Sequence, residues 1–249
     1  MYRANPTQPG CARAWAAACN EIIKTSDEGY NIVIDVTDPV THDEKDNEVI
    51  GLVDKFLKAH EKTYPIITVA NTIFPQSLLD AHGPSDFYKI YHRDYDRLSA
   101  ECRRWGRYFE RITRHKTADG EEYNPLQSMI DKMKVRNGCY KAAYELAVYD
   151  PLLDGRMFRG GQCLSFLSFK LHPDDGLLLT AMYRNHTYIT RCLGNLIGLG
   201  RLQKFVAEQA GLKLGSLTVI STHAELDTGE WGIVEARELV NRANDILQK

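Results

Sequence analysis

The chain has 249 residues, 43% of them apolar and 26% charged, with 31 lysines and arginines set against 33 aspartates and glutamates. A formal charge of −2 does not indicate a general electrostatic grip on nucleic acid, and no apolar run reaches the roughly 18 residues that would span a membrane. This length suffices for one large core, so a single domain over residues 1–249 is expected.

Six cysteines, at 11, 19, 102, 139, 163 and 192, lack CxxC spacing, and the N-terminus carries no apolar signal segment. Reduced thiols in the cytoplasm, with no metal cluster, are the expectation.

Residues 12–23 read as a helix and residues 31–36 as a strand, closed by the turn Thr37-Asp38-Pro39. The charged residues 42–47 read as a loop. Val49, Leu52, Val53, Phe56 and Leu57 make one helical face, and residues 65–69 read as a strand. Residues 86–113 suggest one long or broken helix, with Gly106 at the break. A turn at Ala118-Asp119-Gly120 precedes a helical stripe of Leu126, Met129, Ile130 and Met133 that Gly138 closes, and residues 140–149 alternate as a strand does.

Gly160-Gly161-Gln162-Cys163 leads into a strand over 164–169, which puts the Cys163 thiol at the mouth of that strand. The turn from His172 to Gly176 and a second strand, 177–183, complete a hairpin that delivers Arg184 beside it. Cys192-Leu193-Gly194-Asn195 reads as a turn, with Asn195 capping a helix whose apolar face is Leu196, Leu199, Leu202 or Gln203, Val206 and Ala210. A third strand, 216–222, ends at His223, and residues 231–249 form a last helix. This order predicts an α+β fold with a large mixed or antiparallel sheet packed with helices.

Cys163, Arg184, Asn195 and His223, in that order, resemble the thymidylate synthase family, which includes pyrimidine nucleotide hydroxymethyltransferases. Arg184 to Asn195 fits the family's QRSxD…LGxPxN segment without a gap, and residues 207–215 resemble its helix end and the glycine that follows. Thr222-His223-Ala224-Glu225 resembles its THxY segment once two residues are deleted, and Trp105-Gly106-Arg107-Tyr108-Phe109 is similar to its YGxQW turn. The likeness is strongest over residues 160–223.

This resemblance implies a thymidylate synthase-like fold, a homodimer, and transfer of a methyl or hydroxymethyl unit to C5 of a pyrimidine nucleoside monophosphate. The implied donor is 5,10-methylenetetrahydrofolate, to which no residue is assigned, and dUMP or UMP is favoured over dCMP or CMP. Cys163 would attack C6 of the ring, its thiol made more acidic by Arg184 or Arg159. Arg184, with Asn185 or His186 beside it, would hold the phosphate, and Asn195 would offer donor and acceptor to O4 and N3–H of uracil. His223 would contact a ribose hydroxyl, Glu225 would alter sugar recognition, and Glu48 would be the glutamate that orders water.

The sequence also departs from the family. Leu164 stands where the family has histidine, Tyr183-Arg184-Asn185-His186-Thr187 replaces QRSxD, and Glu225 replaces a tyrosine. Ala142-Ala143 occupies the place of an arginine pair that reaches the partner's phosphate site, and the tail that closes over folate is unmatched. Two further readings stay open: a pyrimidine-nucleotide-binding protein without folate chemistry, and a cysteine hydrolase pairing Cys163 with His223 or His186.

Overall fold

Helices and strands alternate along the first part of the chain, which this computed structural model describes over residues 3–61, 63–104, 106–135, 141–155 and 160–248. Strand β1 (Arg3–Ala4) precedes helix α1 (Cys11–Ile23), strand β2 (Glu28–Val36) and helix α2 (Glu44–Lys58). A capping box opens α2: the Asp43 carboxylate accepts from the Asp46 N–H at 2.8 Å, and that of Asp46 accepts from the Asp43 N–H at 3.2 Å.

Helices α3 (Ile66–Ile73), α4 (Gln76–Asp96), α5 (Ala100–Arg103) and α6 (Tyr108–Thr113) follow, α4 being kinked at Gly83-Pro84. A small ribbon, β3 (His115–Lys116) with β4 (Glu122–Tyr123), leads to α7 (Pro125–Val135), β5 (Glu145–Ala147) and α8 (Pro151–Asp154). The last stretch holds the hairpin β6 (Leu164–His172) and β7 (Gly176–Tyr183), then β8 (His186–Thr187) and one π-helical turn (Tyr188–Cys192). Helix α9 (Leu193–Ala210), strand β9 (Leu214–Glu225) and helix α10 (Gly232–Gln248) complete it.

Several expectations are corrected. Residues 65–69 are not a strand but the start of α3, which buries Ile66, Val69, Ala70 and Ile73 at helical spacing, a period too long to show in five residues. Asp54 of α2 accepts from the Ile66 N–H at 2.9 Å, supplying that helix's first partner from outside. Residues 42–47 are a loop only up to Asp43. The segment expected to be a turn with Asn195 as cap is helical: the π turn runs straight into α9, Cys192 is itself in the αR region, and Asn195 lies in the first turn of α9. Residues 86–113 break before Ala100 as well as near Gly106. Gly138 and Tyr140, and Arg159 further on, lie outside the described residues.

Among the described residues the main sheet runs β1-β2-β9-β7-β6-β5, with β8 beside β9. β1–β2, β7–β9 and β8–β9 are parallel and the other pairs antiparallel, so the sheet is mixed. One face carries the buried rows Ile34–Val219–Ala181–Leu167–Leu146 and Val36–Leu217–Leu179–Phe169, which join Trp15, Phe74, Phe109 and Tyr188 in one hydrophobic cluster. The opposite face shows an apolar row, Val33–Ile220–Met182–Phe166–Ala147, and a polar row, Asp35–Thr218–Thr180–Ser168–Glu145, each half-buried or exposed. No described helix is long and apolar enough to cross a membrane.

Helix α9 is buried along most of its length and carries the crossover between the parallel neighbours β7 and β9. α3 lies against it at close range because residue 194 is glycine: a Cβ there would sit 2.7 Å from that of Val69. The end of β7 and the start of α9 therefore meet at one end of the sheet, beyond the carboxyl end of a parallel strand, where open sheets hold their ligands.

Candidate functional site

Cys163 immediately precedes β6, and its carbonyl accepts from the Arg184 N–H at 2.9 Å, so the hairpin sets the thiol beside residues 184–187. A cavity of about 280 Å³ opens there. Its walls are Val69 and Thr72 of α3, Gly106, Arg107 and Tyr108 ahead of and within α6, Gln162 and Cys163, Asn185 to Thr187, Arg191 of the π turn, and Asn195 of α9.

The loop before the thiol is fixed from three sides. Gly161 has φ 77° and passes so close to Asp154 that a Cβ there would come within 2.7 Å of its carboxylate oxygen. Gln162 Nε2 donates to the Gly106 carbonyl at 3.0 Å, tying this loop to the turn before α6. Arg184 donates from Nε to the Gln162 carbonyl (3.0 Å) and from Nη2 to the Gly160 carbonyl (2.9 Å), with its guanidinium 5.5 Å from the centre of the Tyr149 ring. The side chain expected to hold phosphate thus holds the loop, and it is not on the cavity wall.

Burial pushes the Cys163 thiol above its ordinary value; Arg184 and Arg191 pull it partly back, and Glu225 adds to the rise. The thiol is therefore not made more acidic as expected from a nearby arginine, because desolvation of the thiolate outweighs both guanidinium charges. Iodoacetamide labelling of Cys163 is therefore expected to be slow at pH 7 and to keep accelerating past pH 9, since only thiolate reacts. Peptide mapping across a pH series checks this, and a rate that levels off below pH 8 would contradict it.

The buried wall is a polar chain. Asn195 donates from Nδ2 to His186 Nε2 at 3.0 Å, while its Oδ1, with the residue 3% exposed, has no hydrogen-bond partner among the described residues. An orphaned buried acceptor on the wall of a cavity is the position a ligand's donor would fill. Burial pushes the His186 imidazole down to about 3, so it is neutral.

Asn185 is on the wall, and His223 and Glu225 stand behind it: Asn185 Oδ1 accepts from His223 Nδ1, and its Nδ2 donates to Glu225 at 3.4 Å. His223 also reaches Glu28 of β2 at 2.7 Å. Both histidines thus spend their hydrogen bonds away from Cys163, so no Cys–His hydrolase pair is assembled. Glu48 is exposed on α2 and lines no part of this cavity.

Two cavity residues escaped sequence reading. Arg191 lies with its guanidinium 4.8 Å from the centre of the Tyr64 ring, and Arg107 is exposed at the rim; neither has a carboxylate partner among the described residues. Arg107 stood inside the segment Trp105 to Phe109, and Arg191 four residues before Asn195, which is one helical turn once the segment is read as helix. No group of three or more His, Cys, Asp or Glu among the described residues is placed to hold a metal ion.

No protein-family profile matches the chain. It is similar in part to archaeal proteins described as "Putative thymidylate synthase". It is 33% identical to that of Methanosarcina mazei over 114 residues, 46% of this chain and 51% of that protein. For Methanococcoides burtonii the figures are 33% over 73 residues, 29% of this chain and 33% of that protein. For Methanopyrus kandleri they are 39% over 64 residues, 26% and 31%. The chain spans about a third to about half of the length of these relatives.

Proposed function

We propose that the chain binds a pyrimidine nucleoside monophosphate in the cavity and activates C5 of its ring through a Cys163 adduct, as a thymidylate synthase-like transferase of one-carbon units. The observation that carries this is convergence: Cys163 and Asn195, whose Oδ1 is unpartnered among the described residues, line one space together with Arg107 and Arg191. A volume of about 280 Å³ lies at the lower end for small-ligand sites and takes one such ligand. The description of the archaeal relatives supports the same reading, as does the single hydrophobic cluster for one domain of that fold.

In this reading the Sγ–C6 bond forms and the C5=C6 electron pair moves to C5 and O4, where an Asn195 N–H steadies the negative oxygen. Arg191 and Arg107 hold the phosphate and Val69 packs against the ring. C5 then takes up a solvent proton, loses its original hydrogen as a proton, and the Sγ–C6 bond breaks. The resemblance to thymidylate synthases implies 5,10-methylenetetrahydrofolate as the source of a methyl or hydroxymethyl unit. Among the described residues Tyr108 is the sole aromatic ring on the cavity wall beside His186, and they build no place for a pteridine next to the nucleotide. No folate-binding residue is assigned, and none of the steps above runs through that group.

Nucleotides tritiated at C5 test the adduct directly: dUMP, UMP, dCMP and CMP are incubated with the protein, with and without methylenetetrahydrofolate, and released tritium is counted. Release without the donor, abolished in Cys163→Ala, is the expected result. Binding with no release from any of the four would instead leave a nucleotide-binding protein without the chemistry.

A homodimer belongs to the same proposal, built on the open sheet face with its apolar row through Ile220, Met182 and Phe166. Sedimentation equilibrium should give twice the chain mass, and Met182→Lys should give the chain mass. A monomeric parent would remove the dimer from the reading.

A further inference from the structure

We propose that His186 is a positioning residue that sets which way the Asn195 carboxamide faces, and through it the choice between uracil-type and cytosine-type rings. The inference rests on the nucleotide reading above and adds to it the residue that positions Asn195.

His186 is 2% exposed and sits inside a four-membered chain. Asn195 Nδ2 donates to its Nε2 at 3.0 Å, its Nδ1 lies 3.0 Å from Ser221 Oγ, and the Tyr188 hydroxyl is 3.1 Å from the same Oγ. A neutral imidazole has one donor and one acceptor nitrogen. Because Nε2 accepts from Asn195, Nδ1 carries the hydrogen and donates to Ser221.

The ring is held in that orientation. It lies flat on Tyr183, with 4.0 Å between centroids and 5° between planes, and meets Tyr188 at 5.2 Å and 60°. Ser221, on the buried face of β9, gives Nδ1–H an acceptor that Nε2 does not have on its side.

With one Nδ2 hydrogen committed to His186, the Asn195 Oδ1 is left without a partner among the described residues, in a side chain that lines the cavity. N3–H of a uracil-type ring donates to that oxygen while O4 accepts the second Nδ2 hydrogen. N3 of a cytosine-type ring has no hydrogen, so it would meet Oδ1 lone pair to lone pair. The opposite tautomer, with hydrogen on Nε2, would draw Oδ1 toward His186, turn the NH2 group to the cavity and reverse the preference.

The test uses the full chain. Calorimetry compares UMP with CMP, and dUMP with dCMP, for the parent, for Ser221→Ala and for His186→Phe, which keeps a ring on Tyr183 but offers no acceptor. Nitrogen-15 shifts of histidine-labelled parent protein read the His186 tautomer independently. Hydrogen on Nδ1 in the parent, with the uridine-to-cytidine affinity ratio falling by about tenfold or more in both variants, is expected. Hydrogen on Nε2, or variants that weaken both nucleotide types alike, would overturn the proposal, because a merely structural residue would not change the ratio. If the parent binds none of the four nucleotides, the functional reading fails, while the tautomer still decides whether the carboxamide is locked as described.

Discussion

Replacing Asp154 with alanine is expected to cost about 3–5 kcal/mol of stability, the usual consequence of removing one partner from a buried ion pair. The Arg111 and Asp154 side chains are 7% and 1% exposed and meet in a fork, Nη1 to Oδ2 at 2.5 Å and Nη2 to Oδ1 at 3.0 Å. Arg111 also donates to the Val148 carbonyl at 3.2 Å, and Asp154 accepts from the Asp150 N–H at 3.0 Å, so α6, β5 and α8 are joined at one point. Burial alone would push this carboxyl up; Arg111 and the Asp150 N–H outweigh it and hold it below the ordinary carboxylate value. A folded pKa below the unfolded one gives stability that is complete above roughly pH 3.9 and fades as pH falls through the folded value. Urea unfolding of parent and Asp154→Ala at pH 7, repeated down to pH 3, reads both parts, and the gap between the two should narrow in acid. Equal midpoints at pH 7 would mean that the pair staples nothing. Because Asp154 also underlies Gly161, two residues before the thiol, the variant should lose C5 tritium release where it remains folded.

A second large effect is expected at Arg191. Arg191→Ala should weaken binding of a nucleoside monophosphate by about 10- to 100-fold, the worth of a charge-assisted contact of roughly 1.5–3 kcal/mol, and leave the nucleoside nearly unaffected. Its guanidinium is on the cavity wall, braced by Tyr64 and without a competing carboxylate among the described residues, whereas both donor groups of Arg184 seen in hydrogen bonds go to backbone carbonyls. Calorimetric titration with UMP and uridine separates the two contributions. Equal losses for both would take the phosphate away from Arg191, and loss at Arg184→Gln alone would return it to the residue that the sequence pattern favoured.

The strands around the site were legible because alternation survives in a one-sided sheet: residues 31–36, 164–169, 177–183 and 216–222 all lie within strands, which extend them at one or both ends. The neighbourhood of Cys163 and Arg184 followed from the hairpin alone. What remained hidden depends on partners far along the chain. Gly194-Asn195 has the composition of a turn, yet Asp227, 38 residues from Ile189, accepts from the N–H groups of Ile189 and Thr190. Trp15, 173 residues from Tyr188, donates to its carbonyl at 2.7 Å. Those two contacts make the segment helical, which puts Arg191 and Asn195 on the same wall, and no local pattern contains them. α3 was lost for a similar reason, since β-branched residues in a short window look the same in a strand and on a packed helix.

The widened turn at Tyr188–Cys192 has a bearing on how such chains diverge. A π turn holds one residue more than the α geometry it interrupts. Losing that residue would restore the ordinary winding and leave Asn195 where it is, because the wide turn absorbs the extra residue locally, but it would change which side chain of residues 188–192 faces the cavity in place of Arg191. The sheet rows and the aromatic cluster would survive untouched. A one-position gap here, more than any exchange of side chains, would mark the point at which kinship of shape stops being kinship of chemistry.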